Sequence, residues 1–215
     1  KHLKRFFLGW QNPCAAEIIL IIVITFAITF IILGFVILGA NSRAFDYAFD
    51  YTDFCRGQSV CVLPPIKVSS DVTGPIFVRY RIDKFYQNHY KFRDSFPTAQ
   101  LYDGKIDSSS NSNCGKYLTN AQMNKTIAVD GTPLNPTDVA IPCGVFAYAY
   151  FNDSFYITDT AVGKAPIPVN FTNIAWPDDK EFKFKNVNIS KQWIDISDER
   201  FINWMRTSPY PYFIK

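Results

Sequence analysis

The chain has 215 residues, enough for one domain and a short extra segment, and its 48% hydrophobic content can supply a substantial core. Aromatic residues make up 17% of the sequence, which excludes a wholly disordered protein. The net charge is only +3, and Lys1, Lys4 and Arg5 stand together at the N-terminus. Because the remainder is close to neutral, no nucleic-acid partner is expected, since such binding needs a concentrated basic face.

The first element along the chain is an uncharged apolar run over residues 18–38. As a helix at 1.5 Å per residue, this run reaches about 31 Å, close to the thickness of a bilayer's hydrocarbon core. It is too long and too uniformly apolar for a buried core helix, and too long for a cleaved signal peptide. We therefore predict a transmembrane helix over residues 18–39.

Basic residues precede this run, and acidic residues dominate the stretch that follows it. The positive-inside rule then gives the orientation of the chain. It predicts a cytosolic tail over residues 1–17 and an extracellular or lumenal domain over residues 40–215.

Four tripeptides in the predicted outer domain match the acceptor pattern for N-linked glycosylation. Their asparagines are Asn124, Asn152, Asn170 and Asn188. A fifth tripeptide, at Asn135, is excluded by its central proline. Each match is weak alone, but all four lie on the side that the charge rule places outside the cytosol.

Five cysteines divide into Cys14, at the predicted cytosolic edge of the span, and an outer set of Cys55, Cys61, Cys114 and Cys143. Cys14 is interpreted as a free thiol. An even number in an oxidising compartment favours disulfides over a metal site. Three pairings are possible, and the sequential one closes the shortest loops, with about 2.4 and about 3.7 kcal/mol of stabilisation expected from chain entropy.

Alternation of apolar and polar residues predicts β-strands in the outer domain. Such runs occupy residues 75–83, 145–151, 154–158 and 181–185. The Ser/Asn-rich stretch 107–113 and the Pro-rich stretch 131–136 are typical of surface loops.

Two segments have helical spacing instead. Residues 85–95 carry aromatic side chains about one turn apart, and residues 197–207 open with the capping residues Ser197 and Asp198. Together, these patterns predict a membrane protein with one N-terminal transmembrane helix. Its ectodomain is expected to be mainly β (α+β), disulfide-bonded and glycosylated.

The sequence has no nucleophile elbow, phosphate-binding loop, zinc-protease motif or dinucleotide fingerprint. His89 is the only histidine of the outer domain, and we interpret it as a partly buried member of an aromatic cluster. The acidic pair 178–179 is assigned to a turn and the pair 198–199 to a helix start. We therefore expect no catalytic residue, no metal and no cofactor.

Four longer segments are specific enough to compare with known families. They are GPIFVRYRIDKFYQNHYKFRDSFPTAQL (74–101), PCGVFAYAYFNDSF (142–155), IAWPDDKEFKFKN (174–186) and DERFINWMRTSPYPYF (198–213). In this order, they resemble the hallmark segments of the Lem3-type, cell-division-cycle-fifty family. Members of that family are accessory β-subunits of type IV P-type ATPases, the phospholipid flippases.

The resemblance implies two transmembrane spans, cytosolic ends and a large glycosylated ectodomain with a β-rich scaffold. It also implies the sequential disulfides, Cys55–Cys61 and Cys114–Cys143. A second span does not occur in the sequence, so we expect the chain to be a fragment that lacks it.

The resemblance further implies a non-catalytic subunit that forms a heterodimer with a catalytic α-subunit. It would help that subunit to fold, to leave the endoplasmic reticulum and to complete its transport cycle, and it would also touch membrane lipids. Its location would be the endoplasmic reticulum, the Golgi or endosomes, or the plasma membrane. Aromatic residues and arginine are the usual interface anchors. The expected contact residues are Phe85, Tyr86, His89, Trp204, Arg206, Tyr210 and Tyr212.

Two other classes share a cytosolic tail, a single span and a lumenal domain. One is a membrane-anchored glycan-processing or hydrolytic enzyme, which would need a metal or a carboxylate site. The other is the β-subunit of a cation pump, against which the four quoted segments argue.

Overall fold

The computed structural model describes residues 13–42, 44–68, 72, 74–104, 114–159, 163 and 165–215, with side chains from residue 16 onward. The loop predicted at 107–113, the basic N-terminal residues and the side chain of Cys14 lie outside this description. Contacts divide the chain into two units, Lys1–Gly74 and Pro75–Lys215.

The first unit begins with one long helix, α1 (Pro13–Asn41), which contains the predicted range 18–39. Its stretch Ala16–Asn41 is long and apolar enough to cross a membrane. Thr25 and Thr29 are polar, but each hydroxyl donates a hydrogen bond of 2.8 Å to the carbonyl four residues earlier. The helix therefore satisfies its own polar groups, as a lipid environment requires.

After α1, residues 45–51 belong to no helix or strand, and a series of turns follows at 52–57. The disulfide Cys55–Cys61 closes a short loop here, with 5.5 Å between the two Cα atoms. The backbone N–H of Cys55 donates to the carbonyl of Tyr51 at 2.9 Å, which fixes the turn that leads into the loop.

The second unit combines short helices with short strands, in agreement with an α+β domain. In chain order, its elements are β1 (Arg81–Asp83), α2 (Tyr90–Arg93), α3 (Thr98–Leu101), α4 (Val145–Tyr148), β2 (Ile157–Asp159), β3 (Ala165–Ile167), α5 (Pro177–Phe182), α6 (Glu199–Met205) and β4 (Tyr212–Ile214). The strands form two antiparallel pairs, β1 with β4 and β2 with β3. The described part contains less strand than the mainly-β pattern predicted, although the mixed class is confirmed.

Aromatic side chains dominate the larger core cluster of the second unit. Trp204, Phe146 and Phe201 are fully buried in it. A smaller cluster surrounds the disulfide Cys114–Cys143, whose Cα atoms are 5.3 Å apart. The structure thus joins the same two cysteine pairs that the family resemblance implies.

The strand predicted at 145–151 is wrong, because its first four residues form helix α4. The adjacent side chains of Phe146 and Ala147 are both buried, each in a different core cluster. The alternation of residue types in this segment therefore did not correspond to one solvent-exposed face. Gly144 starts the helix with φ of 94°, and a Cβ there would clash with the carbonyl oxygen of Ser95.

The strand predicted at 181–185 is also wrong, and so is the turn predicted for the acidic pair 178–179. Both fall on or beside α5, which has Pro177 in its first turn followed by two acidic residues. Proline and carboxylates both favour a helix N-terminus. As a consequence, Phe182 is exposed while Phe184 is buried, although a strand would place both on one face.

The remaining predictions were met in part. Within 75–83 only β1 is a strand, because its pairing with β4 ends at the reciprocal bonds between Tyr80 and Lys215. Within 154–158 the strand begins at Ile157. Within 85–95 only α2 is helical. The helix predicted at 197–207 is confirmed as α6, where the carboxylate of Asp198 accepts the N–H of Arg200 at 2.8 Å.

Candidate partner-binding surface

Two of the quoted segments meet through amide side chains that sequence reasoning had not singled out. Gln87, fully buried, accepts the backbone N–H of Ser208 at 2.9 Å and donates to the carbonyl of Trp204 at 3.4 Å. Its neighbour Asn88 donates to the carbonyl of Pro209 at 2.8 Å. These bonds hold the turn after α6 against residues 85–89, so the two segments form one structural unit.

Strand pairing extends this unit. In the β1–β4 register, Ile82 lies opposite Phe213, and Asp83 lies opposite Tyr212. Phe213 is 7% exposed and packs in the core, whereas Tyr212 is 62% exposed. Successive residues of β4 therefore serve opposite faces, as the pleat of a strand requires.

The outward face carries three tyrosines, Tyr86, Tyr210 and Tyr212, which we call the tyrosine surface. Each is about 60% exposed, and the rings of Tyr210 and Tyr212 stack at 5.9 Å. Two of them, Tyr86 and Tyr212, line a shallow cavity of about 390 Å³ together with Arg81, Asp83, Lys84 and Pro211. With two cations and one carboxylate, the lining combines aromatic area with an excess of positive charge.

Trp204 and Phe85, two of the predicted contact residues, pack in the core instead of lying on this surface. Trp204 is 1% exposed, and its indole N–H donates to the carbonyl of Phe146 at 3.0 Å. Phe85 is half-buried, with its ring 5.3 Å from Phe92 and 5.7 Å from Trp204. Both side chains belong to the core, because packing there removes large apolar area from water.

His89 differs from its expected place as well. Its side chain is exposed, and its ring lies 4.8 Å from that of Tyr90. It is therefore not a partly buried member of the core cluster. It remains available at the surface, close in sequence to Tyr86.

Arg206, the other predicted contact residue, lies at a second cavity of about 490 Å³. Its guanidinium stacks 4.4 Å above the ring of Trp176 and binds the carboxylate of Asp179 at 3.1 Å. Lys183 binds the same carboxylate at 2.6 Å, and this hydrogen bond raises the pKa of Lys183. With two cations on its carboxylate, Asp179 links α5 to Arg206, the residue that follows α6.

Glu199 makes a second link between α5 and α6. Its carboxylate accepts the backbone N–H groups of Ile174 and Ala175 at 2.8 and 3.0 Å, and it binds Lys180 at 2.5 Å. Burial opposes the charged form, but these hydrogen bonds outweigh it and lower the pKa of Glu199 to about 2. The segments 174–186 and 198–213 are thereby joined.

The four acceptor asparagines, Asn124, Asn152, Asn170 and Asn188, are all exposed. The side-chain oxygen of Asn170 accepts both the N–H and the hydroxyl of Thr172, at 2.9 and 2.8 Å. Asn188 accepts the N–H of Ser190 at 3.0 Å. No group of three or more His, Cys, Asp or Glu side chains that could hold a metal ion occurs within the part of the chain that the structure describes.

An apolar helix, disulfide-bonded loops and an exposed aromatic surface are the features of a membrane-anchored binding module. Comparison with known proteins gives the family to which this chain belongs. The sequence profile of the LEM3 (ligand-effect modulator 3) family / CDC50 family matches residues 41–215. The chain therefore belongs to this family.

Curated relatives come from plants, animals and fungi. "ALA-interacting subunit 3" of Arabidopsis thaliana is 30% identical over 174 residues, which cover 74% of this chain and 44% of the relative. "Cell cycle control protein 50A" of Bos taurus is 25% identical over 247 residues, covering 96% and 64%. "Phospholipid-transporting ATPase accessory subunit CDC50" of Chaetomium thermophilum is 24% identical over 193 residues, covering 77% and 44%. The chain thus spans less than half of the plant and fungal relatives.

Proposed function

We propose that this chain is part of a non-catalytic accessory subunit of a phospholipid-translocating P-type ATPase. The observation that carries the proposal is its membership of the LEM3/CDC50 family, in which one relative is named a phospholipid-transporting ATPase accessory subunit. The partner would be the catalytic α-subunit of a type IV ATPase, and the pair would form a heterodimer. The accessory subunit would assist its partner's folding, its exit from the endoplasmic reticulum and its transport cycle.

The tyrosine surface is the proposed contact region, together with His89, Arg81 and Lys84. Exposed tyrosines beside cations supply apolar area, hydrogen-bonding hydroxyls and charge, the combination that is enriched at interface hot spots. A rigid surface binds more tightly than a mobile one because less conformational freedom is lost. The bonds from Gln87 and Asn88 to the turn at 208–209 provide that rigidity. A surface that fits some transport states better than others would favour those states.

In the proposed topology, residues 1–17 are cytosolic, residues 18–39 span the membrane and residues 40–215 are extracellular or lumenal. Under this topology all four acceptor asparagines can carry a glycan, because their side chains are exposed and a glycan needs an accessible side chain. Removal of N-glycans by an amidase should lower the mass of the chain from cells by one to four glycan units. A chain of unchanged mass, with all acceptors bare, would contradict the outer placement.

Co-purification tests the function. The full chain, expressed in a eukaryotic cell with an affinity tag, is extracted in mild detergent, and its bound proteins are identified by mass spectrometry. We expect a type IV P-type ATPase in near-stoichiometric amount. Recovery of a cation pump instead, or turnover of a glycan or ester substrate by the purified chain alone, would refute the proposal.

A further inference from the structure

The sequence just after α1 contains the tetrapeptide Ala-Phe-Asp-Tyr twice in succession, at 44–47 and 48–51. Aromatic residues therefore occupy every second position from Phe45 to Tyr51, with Asp46 and Asp50 between them. In an extended backbone, such alternation places the rings on one side and the carboxylates on the other. We call residues 45–51 the aromatic ribbon.

The structure places no helix or strand in the aromatic ribbon. It starts four residues beyond Asn41, where α1 ends. A chain extends at most about 3.5 Å per residue, so Phe45 lies within about 14 Å of the helix end and Phe49 within about 28 Å. The tether therefore lets the ribbon reach the level at which α1 leaves the apolar layer.

Three rings of the ribbon, those of Phe45, Tyr47 and Phe49, are partly exposed. Phe45, Tyr47 and Phe49 are 43%, 45% and 36% exposed, and Phe49 also meets Phe54 edge-on at 5.6 Å. Tyrosine and tryptophan rings are enriched where a bilayer meets water, because their apolar bodies leave water while their polar edges stay hydrated. Phenylalanine supplies apolar area to the lipid-facing side of interfacial segments. Carboxylates, in contrast, are costly within the apolar layer.

We propose that the aromatic ribbon lies along the outer membrane–water interface, with the rings of Phe45, Tyr47 and Phe49 against lipid and the carboxylates of Asp46 and Asp50 toward water. This inference rests on the proposed topology of α1. An aromatic ribbon anchored in the interface would hold the start of the outer domain at a fixed distance from the membrane surface. Nearness to α1 favours lipid over a protein occupant, because every ring position lies within reach of the bilayer surface.

Photo-crosslinking on the full chain in phosphatidylcholine nanodiscs tests the proposal. p-Benzoylphenylalanine replaces one residue at a time on the ring side, at Tyr47 or Phe49, or on the opposite side, at Asp46 or Ala48. Lipid adducts are counted by mass spectrometry. Because the two sides of an extended chain point in opposite directions, we expect about fivefold more lipid adduct from the ring side. Equal yields from the two sides would overturn the proposal. In nanodiscs that contain the chain in complex with its ATPase partner, adducts to protein in place of lipid would also overturn it.

A control separates this inference from the topology on which it rests. Phe35, in α1 and 71% exposed, receives the same photo-reactive residue. Lipid adducts at Phe35 without any at the ribbon would refute the ribbon alone. Failure at Phe35 as well would refute the membrane span, and with it the proposed topology.

Hydroxyl-radical footprinting of the unmodified chain guards against misfolded variants. Tyr156, in the second unit, is 91% exposed, about twice the exposure of Tyr47 at 45%. Exposure alone thus predicts about a twofold difference in oxidation rate, whereas lipid contact predicts about tenfold in nanodiscs. A difference that stays near twofold would contradict the proposal.

Discussion

The tyrosine surface is built from two segments that also contribute side chains to the aromatic core, yet the two regions have opposite environments. In the first segment, Phe85 packs against Trp204 while its neighbour Tyr86 is 58% exposed. In the second, Phe213 is buried while Tyr212 is 62% exposed. At both places the phenylalanine points inward and the tyrosine outward, because a buried hydroxyl would need a hydrogen-bond partner.

The comparison teaches that one short segment can serve stability and recognition at once. Gln87 connects the two regions, since its buried amide binds the backbone at Trp204 and at Ser208. Substitutions should therefore separate into three groups: those that unfold the domain, those that loosen the connection and those that affect recognition alone.

The largest effect is expected from Trp204→Ala, at the centre of the core. Removing a fully buried indole leaves a cavity and an unpaired carbonyl at Phe146, at a cost of about 4 kcal/mol of unfolding free energy. Denaturant unfolding followed by circular dichroism measures it. Trp176→Ala is the matched control, because that ring is 60% exposed, and it should cost less than about 1 kcal/mol. Similar losses of unfolding free energy in the two variants would contradict the assignment of Trp204 to the core and Trp176 to the surface.

Glu199→Gln should destabilise by about 3 kcal/mol, since a buried carboxylate that accepts several hydrogen bonds loses its charge. The exposed Glu181→Gln serves as the control and should have little effect. The pKa of Glu199 is lowered in the folded state from 4.5 to about 2, so the unfolded chain binds its proton first as pH falls. The stabilisation by the Glu199 carboxylate is complete above the pKa of the unfolded chain. It is lost as pH falls through the pKa of the folded state. Wild-type stability that did not decline more steeply than that of Glu199→Gln between about pH 5 and 2 would contradict this assignment.

Gln87→Ala should cost about 2 kcal/mol, because the N–H of Ser208 loses its acceptor inside the protein. It should also weaken partner binding, since the turn that carries Tyr210 is no longer held. The exposed neighbour provides the comparison: Asn88→Ala should cost about 1 kcal/mol or less. Unfolding free energies and ATPase recovery are measured on the same preparations. Normal partner binding in Gln87→Ala would show that the connection does not support recognition.

The sequence predicted the fold class and the disulfide pairs better than the positions of individual helices and strands. The helix after Asp198 was predictable because its cap is local, and the two disulfide pairs followed from family resemblance. The strands predicted at 145–151 and 181–185 were wrong, because alternation is informative only where one face of the segment is exposed to solvent. Phe146 and Ala147 have core on both sides, and Pro177 starts a helix that overrides the pattern after it.

The proposed contact surface was predictable from the sequence only at the level of segments. Aromatic content indicated residues 85–89 and 204–212, but it could not separate Trp204 from Tyr212. That separation depends on the β1–β4 register and on the buried amide of Gln87, both of which join residues more than 100 positions apart. The neighbouring phenylalanine and tyrosine residues were a signal that could have separated core from surface positions, because the tyrosine hydroxyl favours the solvent-exposed side.

The most direct test of the central proposal measures ATPase recovery with the double variant Tyr86→Ala/Tyr212→Ala against Tyr156→Ala. Tyr156 is 91% exposed and lies outside the tyrosine surface, so it controls for the loss of a surface ring. We predict that the double variant binds at least about tenfold less ATPase, a loss typical of hot-spot residues, while its unfolding free energy stays within about 0.5 kcal/mol of wild type. Undiminished recovery of the ATPase by the folded double variant would contradict the assignment of this surface.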